Sequence, residues 1–93
     1  MKMAKLEEVE KDWKKRGFSF GVWTDPPGQV WENYIHDTDE LFMVVKGNVE
    51  LEIAEKKRVL KVGEEVLIPK NVRHSVRTSV EAGSQWLYGY GEK

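Results

Sequence analysis

The chain contains no cysteine, which excludes disulfides, thiolate metal sites and cysteine nucleophiles from its chemistry. No apolar run approaches the ~20 residues that a bilayer-spanning helix requires. The opening stretch MKMAKLEEVEKDW is charged throughout and lacks the apolar region of a signal peptide. These absences predict a cytoplasmic protein without a membrane partner. An excess of charge is missing as well, with 15 Lys plus Arg against 16 Asp plus Glu and a net charge of −1. Up to Arg16 there are six basic and four acidic groups, and beyond it nine basic and twelve acidic. Neither part offers the strongly positive face that phosphate backbones select, so no nucleic acid partner is expected. No glycine loop of the phosphate-cradling kind is present, and no Ser-His-Asp set stands out.

What is present fits one domain. The 93 residues are 40% hydrophobic and 11% aromatic, enough for one compact core with any site inside it or on its rim. From Lys5 to Arg16 the apolar positions Leu6, Val9 and Trp13 form one stripe of an amphipathic helix. Gly17 then stands where a left-handed C-cap belongs. The narrow stripe suits a helix that packs on something larger, either a partner chain or its own domain.

After Gly17 the period becomes two. Phe18, Phe20 and Val22 alternate with small residues until Asp25-Pro26-Pro27-Gly28 breaks the chain. Val49, Leu51 and Ile53 alternate with Glu50 and Glu52, the pattern of a strand wet on one side. Leu41 to Val45 is apolar at both parities, predicting a strand covered on both faces. Ala54 to Arg58 reads as a polar hairpin loop, and Gly63-Glu64-Glu65 as a turn. Strands are expected at 66–68, stopped by Pro69, at 72–79 and at 85–90. Seven or eight short strands with turns between them predict an all-β sandwich or closed barrel.

The chain has two histidines, His36 and His74. Glu40 follows His36 across the polar turn Asp37-Thr38-Asp39, which can return the chain so that both side chains enter one cavity. His74 shares parity with Val76 and faces inward. Two imidazoles and a carboxylate suit iron, zinc, nickel or manganese. The plain alternative is a metal-free pocket in which Glu40 pairs with a histidine, or with Arg73 or Arg77.

The stretch Gly28-QVWEN-Tyr34-Ile35-His36-DTD-Glu40-LFMVVK-Gly47 resembles the first motif of the cupin family, where a glycine is followed by His-x-His, a glutamate and a second glycine. The stretch Gly63-EEVLI-Pro69-Lys70-Asn71-VR-His74-SVR-Thr78 resembles the second, Gly-x5-Pro-x-Gly-x2-His-x3-Asn. The two motifs span residues 28–78, more than half of the chain. The resemblance implies a cupin double-stranded β-helix, or jelly-roll barrel, over 18–93, after an N-terminal helical segment over 1–17. It also implies that His36, Glu40 and His74 hold a divalent metal ion (Fe, Ni, Mn or Zn). Three positions depart from the pattern. Tyr34 replaces the first histidine, Asn71 a glycine and Thr78 the final asparagine. Asn71 tolerates the left-handed backbone of a tight turn. Tyr34 shares strand parity with His36 and lines the same cavity, where it is either a fourth metal ligand as phenolate or, when neutral, takes the catalytic role of orienting water or substrate.

Two further groups have both a functional and a structural reading. Glu32, Asp37 and Asp39 either raise the local cation concentration or form a solvated rim. Trp23, Trp31, Trp86, Tyr88 and Tyr90 either form a stacking platform or, as their strand spacing favours, pack the core or a dimer interface. Leu41, Met43 and Val45 would form an exposed apolar patch on a bare barrel, which predicts a homodimer. The expected function is metal-dependent binding or turnover of a small molecule. A non-catalytic ligand-binding or sensing module that needs no metal is the alternative.

Overall fold

The computed structural model describes residues 4–92; residues 1–3, at the start of the expected helical segment, and residue 93 lie outside them. A single helix, α1 (Ala4–Lys15), precedes eight strands: β1 (Gly21–Asp25), β2 (Val30–Tyr34), β3 (Glu40–Lys46), β4 (Val49–Ile53), β5 (Lys56–Val59), β6 (Glu65–Ile68), β7 (His74–Thr78) and β8 (Ser84–Tyr90). The strands form two antiparallel four-stranded sheets, ordered β1-β8-β3-β6 and β2-β7-β4-β5.

The helix ends as its sequence predicts. Gly17 adopts φ +90°, its N–H donates to the Lys14 carbonyl at 3.1 Å, and the Phe18 N–H donates to the Trp13 carbonyl at 2.9 Å. That pair of bonds is a Schellman motif. It turns the chain so that the stripe of α1 lies on the outer face of the first sheet. Trp13, Leu41, Met43, Val45 and Leu87 form a buried cluster there, with Leu6, Val9, Phe18 and Phe20 packed against it. The apolar face expected to drive dimerisation is therefore covered by the chain's own helix. Glu65 on β6 pins α1 in place, accepting the Trp13 indole N–H at 2.8 Å and both guanidinium arms of Arg16 at 3.0 Å.

The opposite parity of β3 faces inward. Phe42 and Val44 join Val49, Leu51, Leu60, Val66, Ile68 and Val76 in the core between the sheets. Lys56 to Arg58, expected in a loop, instead belong to β5, paired with β4 in the register Ile53↔Lys56 to Glu50↔Val59. The reversal takes only Ala54 and Glu55, at φ 50° and 70°, the two left-handed residues of a type I′ hairpin. Neither residue type advertises such a turn, so the strand was hidden in the sequence. β5 is exposed along its length at a sheet edge, where its basic residues oppose pairing with another chain. Among the described residues, no helix is long and apolar enough to cross a membrane.

Candidate metal centre and ligand cavity

Register places the candidate ligands on facing rows of the two sheets. Tyr34, His74 and Ile53 are neighbours across β2, β7 and β4, while Tyr90, Glu40 and Ile68 are neighbours across β8, β3 and β6. His36 lies in the connection from β2 to β3, and that connection is tied to the turn before β7. The Asn71 N–H donates to the His36 carbonyl at 2.7 Å, and the Lys70 N–H donates to Asp39 Oδ1 at 2.9 Å. Asn71 sits at φ 62°, the left-handed turn expected where the family motif has glycine.

These constraints bring His36, Glu40 and His74 together, with one ligand atom from each lying within 4.8 Å of the others. Glu40 Oε1 is 3.5 Å from His36 Nε2 and 3.6 Å from His74 Nε2. It is buried and has no hydrogen-bond partner. Neither Arg73 nor Arg77 reaches it. Arg77 is engaged by Glu32, Glu50 and Glu52 at 2.9, 3.0 and 2.8 Å, so the exposed Glu32 belongs to a solvated ion-pair cluster. Asp39 is likewise a structural anchor, through its bond to Lys70.

The electrostatics follow from burial. Desolvation pushes the Glu40 carboxyl up to about 7 and pulls His74 below its usual value, with His36 adding to the lowering and the Val72 carbonyl opposing it. His74 Nδ1 lies 3.2 Å from the Val72 carbonyl. A carbonyl can only accept, so Nδ1 carries the proton and the Nε2 lone pair points toward Glu40. Tyr90 is pushed up to about 12, first by burial and then by Glu40 and Tyr88, which disfavours its phenolate. An unpartnered buried carboxylate oxygen facing two imidazole nitrogens is a donor set that fits a divalent cation.

The centre forms part of the wall of a cavity of about 280 Å³, small even for a ligand pocket. Aromatic rings in sequential contact circle this cavity. From Trp23 the contacts run to Trp31, Tyr34 and His36, with centroids 6.1, 6.2 and 6.3 Å apart. From His36 they return through Tyr90, Tyr88 and Trp86 to Trp23, at 5.0, 6.0, 5.9 and 6.5 Å. Trp86, Tyr88 and Tyr90 are thus cavity wall, and Trp86 also packs on the core through Phe42 at 4.8 Å, in keeping with the core packing that strand spacing favoured. Tyr34 stacks on His36 with 26° between the ring planes. Trp31 and Tyr34 would point to opposite faces of a regular strand. A bulge between them, with Asn33 at φ 61° and its N–H on Ser75 Oγ, turns both into the cavity.

One site residue gave no signal in the sequence. Asp25, which reads there only as a chain breaker, is 3% exposed and accepts three indole N–H bonds. Trp23 donates to Oδ1 at 2.7 Å, and Trp31 and Trp86 to Oδ2 at 3.0 and 3.2 Å. Four tryptophans in a chain of this size, each needing an acceptor when buried, were the available hint.

The model of the cupin domain family matches residues 21–88, most of the chain and both motif stretches. The chain is a cupin. A comparison with curated proteins finds no match. Among solved structures, the cupin is similar to a Photorhabdus luminescens protein, with TM-score 0.75 and 21% identity over 83% of this chain and 64% of that one. It is also similar to the cupin domain of an XRE family transcriptional regulator from Enterobacter cloacae, with TM-score 0.74 and 20% identity over 87% and 88%. Oxalate oxidase in complex with the substrate analogue glycolate matches at TM-score 0.73 and 22% identity, over 83% of this chain and 43% of that one. The cupin therefore spans less than two thirds of the first and third of these. At such identities the likeness is one of fold, and neighbours of this fold include both enzymes and regulators.

Proposed function

We propose that this cupin is a cytoplasmic protein that binds a small molecule in its barrel through a divalent metal held by His36, Glu40 and His74. The observation that supports this reading is Glu40 Oε1, buried without a hydrogen-bond partner between two imidazole Nε2 atoms at 3.5 and 3.6 Å. A carboxylate left in that state costs free energy that a cation would recover. A divalent ion there would supply Lewis-acid chemistry toward an oxygen of the ligand.

The chain's own residues do the rest. The Val72 carbonyl keeps the His74 proton on Nδ1, the ring of Tyr34 braces His36, and its hydroxyl is available to orient water or a polar group of the ligand. Trp23, Tyr34 and Tyr90 on the wall are themselves exposed, so the cavity is open to solvent along that side. The test is elemental analysis of protein purified without a metal-binding tag, beside His36→Ala and His74→Ala. Near-stoichiometric iron, nickel, manganese or zinc that is lost in both variants, with the fold intact, is expected. Metal content unchanged by either substitution would overturn the assignment.

A second reading, a ligand-sensing module with no required metal, is favoured by how much of the wall is aromatic rather than ligating. A ligand that raises the melting temperature equally with and without chelator would select it.

A further inference from the structure

We propose that the cavity recognises an organic cation, a head group whose charge is spread over alkyl substituents as in a quaternary ammonium, seated against the indoles of Trp23, Trp31 and Trp86 with Asp25 behind them. The inference deepens the reading of the same cavity by naming its ligand class, but it rests on residues outside the metal centre.

The argument starts from how Asp25 is satisfied. Both of its oxygens accept, and all three donors are neutral indoles. Among the described residues its carboxylate makes no ion pair, every such pair lying elsewhere. N–H dipoles stabilise a negative charge without cancelling it. In a buried site the remaining field extends further than it would in water. The indole N–H groups account for an acceptor at this position, and the net charge of the carboxylate remains once they are satisfied.

The field passes through rings that already favour positive charge. Indole has the strongest cation-binding face of the aromatic side chains, and donation of its N–H to a carboxylate adds electron density to the ring. Among the described residues the wall contains no lysine or arginine, so on the tryptophan side, away from the metal centre, an anionic group would find no cationic side chain to pair with. A neutral apolar ligand would fill the space and leave the charge of Asp25 unanswered. A compact ammonium or inorganic cation holds its own water tightly, whereas an alkylated cation loses little on entering an aromatic enclosure. The cavity, at about 280 Å³, accepts a small head group of this kind and no polymer.

The test is a calorimetric and tryptophan-fluorescence titration of the whole protein with tetramethylammonium chloride and with its neutral counterpart tert-butanol, each with and without EDTA. Tetramethylammonium is expected to bind at least about tenfold more tightly than tert-butanol and to shift the tryptophan emission. Asp25→Asn is expected to remove most of that preference, read as the ratio of the two affinities within the same variant. Because Asp25 is buried, Trp23→Leu serves as the second variant. Trp23 is 43% exposed, so this protein should fold and still lose affinity for the cation at least about fivefold. Equal or tighter binding of tert-butanol, no binding of tetramethylammonium, or a folded Asp25→Asn protein that binds it undiminished would each overturn the proposal. The EDTA arm separates this inference from the metal reading. Cation binding that survives chelation in a metal-free protein supports the one while the other fails, and a metal-loaded protein that ignores the cation does the reverse.

Discussion

Asp25 and Glu40 are the two buried carboxylates among the described residues, and they are satisfied in opposite ways. Asp25 accepts three indole N–H groups; Glu40 Oε1 accepts none. One closes a structural network at the wall of the cavity, and the other is left poised toward two imidazoles. The same residue class therefore performs two tasks in one small barrel, set by the donors each position meets.

Glu40→Gln keeps the shape and removes the charge that a metal requires. The expected outcome is loss of at least about tenfold in metal affinity, the effect of losing an anionic ligand. The metal-free variant should be as stable as the wild type at neutral pH or more so, because it no longer buries a carboxylate without a partner. Competition against a chromogenic chelator measures the first effect and urea denaturation the second. An unchanged metal affinity would remove Glu40 from the ligand set.

The pH dependence of the metal-free protein follows from burial of the same residue. Its carboxyl, raised from 4.5 to about 7, binds a proton more tightly folded than unfolded. The stability it contributes is present in full below pH 4.5 and is lost as pH rises through about 7. His74, lowered by burial, acts in the other sense. The stability it contributes is present above pH 6.5 and is lost as pH falls below that value toward its lowered folded pKa. The difference between wild type and Glu40→Gln isolates the carboxylate. With EDTA present, the wild type should lose up to about 3 kcal/mol relative to the variant between pH 4.5 and 7. A difference that stays flat across this range would show that Glu40 titrates normally.

Much of this arrangement was legible in the sequence, for identifiable reasons. The stripe Leu6, Val9, Trp13 and the two-faced apolar run at Leu41 to Val45 are local patterns, and each meets the other as a buried partner. His36, Glu40 and His74 came from motif spacing, and the hydrogen bonds from Asn71 and Lys70 explain why that spacing works. The rest depends on backbone detail or distant contacts. The bulge at Asn33 reverses the parity that would separate Trp31 from Tyr34. The turn at Ala54 and Glu55 uses residues that rarely take left-handed backbone. Asp25 meets Trp86 only through pairing of β1 with β8, a contact 61 residues away in the chain.

Tyr34→Phe separates the ring from the hydroxyl. The ring stacks on His36 and is preserved, and Tyr34 is 42% exposed, so stability should change by less than about 0.5 kcal/mol. On the proposed reading the phenol serves the ligand and not the ion, so metal content should be retained. Its loss should appear in ligand affinity or turnover. Metal that disappears with the hydroxyl would instead make Tyr34 a ligand of the ion.

The helix gives the last prediction. Trp13 is 0% exposed, packs edge-on to Phe20 with centroids 5.6 Å apart, and donates its indole N–H to Glu65 at 2.8 Å. Trp13→Ala removes a large buried ring and leaves Glu65 held by Arg16 alone, at an expected cost of about 3–5 kcal/mol. Trp13→Phe keeps most of the packing and loses only the hydrogen bond, so about 1–2 kcal/mol is expected. Loosening α1 also uncovers Leu41, Met43, Val45 and Leu87, an apolar face that water disfavours. The Trp13→Ala protein should therefore self-associate more strongly than wild type in sedimentation velocity, increasingly so with concentration. An alanine variant with wild-type stability and unchanged sedimentation would show that α1 contributes little to covering the barrel, and the brace assigned to Trp13 and Glu65 would have to be abandoned.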